Sequence, residues 1–113
     1  MALNSGALTI WHNPRCTKSR QALAYLEEKG LTPEVRLYLK DAPSEAEIRD
    51  MLSALGIPAA DLLRKEGAAL KSEAEATIIA AMVENSALIE RPVIRNGDKA
   101  VIGRPTEAID TLL

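Results

Sequence analysis

Apolar and polar positions change their period several times along this 113-residue chain, and each change marks an element. Leu8-Thr9-Ile10-Trp11 reads as a short strand. From Thr17 to Lys29 the apolar positions Ala22, Leu23, Tyr25 and Leu26 fall on one helical face, and Gly30 supplies a stop. Val35-Arg36-Leu37-Tyr38-Leu39 alternates and is rich in strand formers, which predicts a second strand. Strand, helix and strand at these lengths make a βαβ unit, with parallel pairing and a right-handed crossover.

The middle of the chain is helical in period. Ser44-Glu45-Ala46-Glu47 after Pro43 is a capping box, in which side chain and backbone satisfy each other's free N–H groups. Ile48, Met51, Leu52 and Leu55 follow at helical spacing, and Gly56 closes the segment. Ala59 to Lys65 reads as a short helical turn. A second box, Ser72-Glu73-Ala74-Glu75, predicts a helix that buries Ile78, Ile79, Met82 and Val83. The last third is different. Val93–Arg95 and Asp98–Ile102 flank Asn96-Gly97, a hairpin signal that favours a type I′ turn. Gly103-Arg104-Pro105-Thr106 then launches a final helix, with Pro105 in its first turn and Ile109, Leu112 and Leu113 packed inward.

The order is therefore β-α-β, a helical block, then β-β-α. That is an α/β thioredoxin-like sheet with a helical insertion, at about residues 44–85, between its halves. One domain over 1–113 is the expectation at this length, and it buries roughly two thirds of the unfolded surface without a staple. A single cysteine excludes an intramolecular disulfide. Met1–Ala7 lacks the basic flank and apolar run of a signal peptide, and no apolar stretch approaches a membrane span. Cytoplasm is the expected setting. The net charge of −2, with signs interspersed and only three aromatic residues, argues against nucleic-acid binding.

Against that background one run stands out: His12-Asn13-Pro14-Arg15-Cys16-Thr17-Lys18-Ser19-Arg20. It holds the only cysteine and the only histidine. Strand, loop, cysteine and helix start place a thiol at a positive helix terminus among cations. That setting favours a thiolate, drawing a cysteine pKa below its free value of about 8.5. It also offers backbone N–H groups and guanidinium forks to an oxyanion. His12 has three open readings: a second cation near the thiol, a satisfied core imidazole, or a loop residue. One Cys and one His leave a tetrahedral metal site two ligands short, so no metal is expected. Arg64 in Leu62-Leu63-Arg64, Arg91 before Pro92, and Arg104 before Pro105 lie outside this run. Brought to Cys16 by the fold, their guanidiniums would grip a tetrahedral oxyanion in bidentate fashion.

The run around Cys16, together with Leu62-Leu63-Arg64, Glu90-Arg91-Pro92 and Gly103-Arg104-Pro105, resembles the glutaredoxin-linked arsenate reductase (ArsC) family. The similarity extends from about Leu8 to Leu113, as in a short member of that family. It implies reduction of arsenate to arsenite by a Cys16 nucleophile, with His12 helping to keep the thiol ionised. Arg64, Arg91 and Arg104 would hold the oxyanion, with Asn13, Ser19, Arg20 and Pro92 in support. Position 19 is Ser where a Cys-x-x-Cys pair would end, so the second thiol must come from outside. Glutathione as co-substrate and glutaredoxin as partner are implied, with no bound cofactor. Two other functions fit parts of the pattern. A general glutathione-linked thiol oxidoreductase would need Cys16 but not every arginine. A non-catalytic Spx-like regulator would share the fold, although Ser19 removes the disulfide switch.

Overall fold

The computed structural model describes residues 8–113. The expectation about Met1–Ala7 lies outside them. Two compact units are present: the chain up to Leu37 together with Arg91–Leu113, and Tyr38–Glu90.

The first unit is built on a four-stranded sheet of order β2-β1-β3-β4. The strands are β1 (Leu8–Trp11), β2 (Glu34–Arg36), β3 (Val93–Asn96) and β4 (Lys99–Ile102). Helix α1 (Thr17–Glu28) joins β1 to β2, which pair in parallel with Ile10 opposite Val35. β3 runs antiparallel to β1 and to β4. This is the thioredoxin-like mixed sheet, and the βαβ unit is as the sequence indicates. β1 lies inside the sheet, and Leu8 and Ile10 are fully buried there. They form one core with Ala22 and Leu26 of α1, Ile94 of β3, and Ile109 and Leu112 near the C-terminus. Each leucine and isoleucine among them contributes about 1.5–3 kcal/mol by leaving water.

α1 ends in a Schellman motif. Gly30 takes φ 77°, Gly30 N–H donates to Glu27 O at 2.9 Å, and Leu31 N–H donates to Leu26 O at 3.1 Å. The second strand is shorter than its alternation predicts, Glu34–Arg36 rather than Val35–Leu39. Val35 and Leu37 remain 42% and 37% exposed, because this strand is at the sheet edge and one face of its apolar run is left uncovered. The hairpin turn also differs. Asn96 pairs with Lys99, so the two loop residues are Gly97 and Asp98, not Asn96 and Gly97. Only Gly97 has positive φ (63°), as a type II′ turn requires of its first central residue. The final segment, Thr106–Leu112, is a 3₁₀ helix with Pro105 just outside it. Ile109 and Leu112 pack inward, but Leu113 is 45% exposed. Tyr25 of α1 donates to Asp110 at 2.5 Å, and Lys29 Nζ lies 3.9 Å from the same carboxylate, which fastens this segment to α1.

The second unit contains α2 (Glu45–Leu55) and α3 (Glu75–Glu84), which pack on each other. Ser44 caps α2 in a complete box: Glu47 N–H donates to its hydroxyl, and Ser44 N–H donates to the Glu47 carboxylate. Gly56, at φ 69°, ends it. Ile48, Met51, Leu52, Ile78, Ile79 and Met82 are buried as their spacing predicts. The second box does not form. α3 begins after Ala74, because both Glu75 carboxylate oxygens accept from Ala59 N–H, at 3.0 and 3.2 Å. A 3₁₀ turn at Ala59–Leu62 and another at Lys65–Leu70 stand on either side of Arg64.

Candidate active site

Cys16 is the N-cap of α1, with extended backbone at φ −94° and ψ 122°. The loop before it is shaped by Asn13. Asn13 O accepts from Cys16 N–H at 3.0 Å, and its Oδ1 accepts from Arg15 N–H at 3.0 Å. Arg20 spans the same loop from the helix side, donating to Pro14 O at 2.8 Å. The turn that presents the thiol is thus closed at both ends before any ligand arrives.

An N-cap side chain ordinarily accepts from the amides two and three residues on. At α1 those positions are Lys18 and Ser19, and the side chain is a thiol. Burial is the largest influence on Cys16 and works against its ionisation. It is outweighed by the Ser19 N–H, the Arg91 guanidinium acting through a hydrogen bond and through its charge, and the Lys18 N–H. The net result is a pKa below the ordinary thiol value. The sequence assigns the helix N–H groups to an oxyanion and Ser19 to a supporting part, without naming the Lys18 and Ser19 amides as groups that act on the sulfur. The N-cap rule applied to Cys16 would have found them.

Arg104 adds a second guanidinium. Its Nη2 lies 3.8 Å from Cys16 Sγ, and its Nε donates to Arg91 O at 2.7 Å. Arg91 therefore contributes twice, its side chain toward the sulfur and its carbonyl to the placing of Arg104. The Arg91–Pro92 peptide is cis, and Pro92 is buried. Pro92 O accepts from Gly103 N–H at 2.9 Å, which fixes the residue before Arg104. Gly103 has no room for a side chain: a Cβ there would lie 2.9 Å from Ile94 Cδ1 and 3.0 Å from Pro92 Cγ.

His12 follows β1 and is buried, at 6% exposure. Its N–H donates to Arg36 O at 2.8 Å, and its Nδ1 lies 2.6 Å from the Ser19 hydroxyl. Burial, then the nearby Arg20 charge, lower its pKa, while Glu27 partly opposes them.

Of the nine residues singled out from sequence, eight belong to the first unit: His12, Asn13, Cys16, Ser19, Arg20, Arg91, Pro92 and Arg104. Arg64 belongs to the second. There its N–H donates to Leu88 O at 2.9 Å, beside a β-bridge between Leu63 and Ile89. Its guanidinium pairs with Glu66 at 2.9 Å. A thiol held toward its ionised form beside two guanidiniums can attack an electrophilic centre that carries negative oxygens.

Several known proteins are similar to this chain. The ArsC family matches residues 11–112. The chain is 41% identical to "Arsenate reductase" of Haemophilus influenzae, over 95% of this chain and 99% of that one. It is 44% identical to "Uncharacterized protein YfgD" of Escherichia coli K12, over 88% of this chain and 91% of that one. Among solved structures, "Arsenate reductase from Vibrio cholerae" is similar with a TM-score of 0.89 and 36% identity, covering 97% of this chain and 100% of that one.

Proposed function

The chain belongs to the ArsC family, and from that membership and the setting of Cys16 we propose that it reduces arsenate to arsenite. The observation that carries the reading is the sulfur of Cys16 within reach of the Arg91 and Arg104 guanidiniums at the open N-terminus of α1.

In the proposed reaction the Cys16 thiolate attacks arsenic(V) and an arsenate oxygen leaves as water, forming an S–As bond. Arsenic is still pentavalent at this stage. Arg91 and Arg104 balance the charge on the remaining oxygens, and the Lys18 and Ser19 N–H groups stabilise the sulfur anion before attack. The reading gives Arg64 a share in holding the oxyanion. Reduction needs two electrons, and this chain holds one cysteine. The second thiol in this scheme is glutathione. It forms an S–S bond with Cys16 while the S–As electron pair stays on arsenic, which leaves as arsenite. A glutaredoxin thiol then exchanges with that mixed disulfide and returns Cys16 to its thiolate. Cytoplasm, where such thiols are kept reduced, is the setting proposed. Among the described residues no helix is long and apolar enough to cross a membrane.

The test is arsenate-dependent NADPH consumption in the presence of glutathione, glutathione reductase and glutaredoxin. Turnover that Cys16→Ser loses and that stops without glutathione is the expected outcome. No turnover, with Cys16 still titrating below a free thiol, would end the arsenate assignment and leave a reactive thiolate with another electrophile.

A further inference from the structure

Arg64 is carried by a backbone with little freedom to move. Its N–H donates to Leu88 O at 2.9 Å, Glu90 N–H donates to Leu62 O at 2.7 Å, and Leu63 bridges to Ile89. Leu62, Leu63 and Ile89 are buried, so this short ladder is packed as well as bonded. Past Arg64 the chain turns at once into the 3₁₀ helix Lys65–Leu70, where Gly67 N–H donates to Arg64 O at 2.9 Å. Gly67 is buried, and a Cβ there would lie 3.0 Å from Leu63 Cδ2. The turn is therefore folded tightly against the residue before Arg64, and Glu66 is carried back with it. All of these contacts lie within Tyr38–Glu90.

The result is an ion pair between residues two apart, with Arg64 Nη2 2.9 Å from the Glu66 carboxylate. Its two halves are unlike: the arginine side chain is 22% exposed and the glutamate side chain 50%. The guanidinium is largely covered by the fold, whereas the carboxylate is half in water and loses little by returning to it. A pair so placed is weakly held. A carboxylate also offers an arginine what a tetrahedral oxyanion offers, paired oxygens that share negative charge and fit the same donor fork.

We propose that Glu66 is an internal competitor for the oxyanion: its carboxylate occupies the Arg64 guanidinium in the free protein and leaves when an external anion is gripped there. The inference rests on the reading that Arg64 shares in holding the oxyanion. It gives Glu66 a part in setting anion affinity and none in the chemistry at sulfur. A tethered competitor lowers the affinity of every anion that uses Arg64 by one common factor, the fraction of time the guanidinium is free. Repulsion through space would act differently, since a doubly charged anion would suffer about twice the penalty of a singly charged one.

The test is calorimetric binding of two inert tetrahedral anions, doubly charged sulfate and singly charged perchlorate, the second followed by its displacement of sulfate. Glu66→Gln keeps the shape and removes the charge. It should tighten both anions by the same factor, about two- to five-fold, and lower the KM for arsenate more than it changes kcat. Arg64→Ala should weaken sulfate binding, and Glu66→Gln added to it should bring no further gain. Unchanged binding in Glu66→Gln, where Arg64→Ala does weaken it, would overturn the proposal and leave the Arg64 reading standing. A gain larger for sulfate than for perchlorate, or one that survives in the Arg64→Ala background, would overturn it in favour of repulsion through space. Native affinity in Arg64→Ala would overturn the Arg64 reading and the proposal together. The calorimetry needs no turnover, so a failed arsenate assay does not decide it. The backbone bonds of the turn do not involve the Glu66 side chain, and Glu66→Gln should melt close to native.

Discussion

α1 and α2 begin with the same backbone geometry and are finished in opposite ways. Both N-caps are extended, Cys16 at φ −94° and Ser44 at φ −76°. At α2 the hydroxyl and the Glu47 carboxylate close a reciprocal box, so the terminus is satisfied by its own sequence. At α1 no side chain among the described residues closes the terminus with a capping hydrogen bond. Its amides act on a sulfur instead, and the Arg91 and Arg104 guanidiniums stand beside that sulfur. A box contributes stability to a helix. A terminus left open beside a thiolate gives up some of that stability and gains a nucleophile, since an anion there is stabilised by the unsatisfied N–H groups.

The comparison breaks most sharply at the cap residues themselves. Cys16→Ser should abolish arsenate reduction, by at least about a thousand-fold in the coupled assay, while the thermal melt stays close to native because a hydroxyl can also cap. A variant that melted far lower would mean that Cys16 is mainly structural. Next in size, Arg104→Ala or Arg91→Ala should lower kcat/KM for arsenate by about a hundred-fold, and Arg91→Ala should also raise the alkylation midpoint of Cys16. Native kinetics in both variants would remove the oxyanion cradle. At the other helix, Ser44→Ala should cost about 1 kcal/mol, read as a lower urea midpoint with unchanged slope, and leave the thiol titration untouched.

The smallest effect is on stability against pH, and its sign is fixed. The folded Cys16 pKa is depressed, so between that value and the free-thiol value of about 8.5 the unfolded chain binds more protons. Stability from this group is complete above the free-thiol value and is lost as pH falls through the folded one. Cys16→Ser should lack this slope in denaturant midpoints measured across the window, and a slope that survives the substitution would assign it to another group.

The features legible in the sequence are those set by near neighbours. Ser44 and Glu47 are three residues apart, Gly30 and Gly56 sit where helices must stop, and Cys16 immediately precedes a helical period. The misread features were decided by distant partners. Ser72-Glu73-Ala74-Glu75 has the composition of a box, but the Glu75 carboxylate is taken by Ala59, sixteen residues earlier. Asn96-Gly97 carries a type I′ signal, yet the pairing of β3 with β1 and β4 sets the register, and the turn moves on by one residue. The site divides in the same way. Cys16 was evident from its own surroundings. The anchoring of Arg104 Nε on the Arg91 carbonyl joins residues thirteen apart, and no local pattern encodes it.

Gly103 has a consequence for how this site could change over generations. A Cβ at that position would meet Ile94 Cδ1 at 2.9 Å and Pro92 Cγ at 3.0 Å. Both atoms belong to buried side chains, so neither gives way without disturbing the packing around it. Almost any replacement at 103 therefore pushes on the backbone that carries Arg104, and the reach of the guanidinium changes before its chemistry does. Variation toward a larger or differently charged anion has an open route at the arginine and a closed one at the glycine beside it. Under selection, position 103 should tolerate fewer substitutions than the arginine it positions, although it touches no ligand.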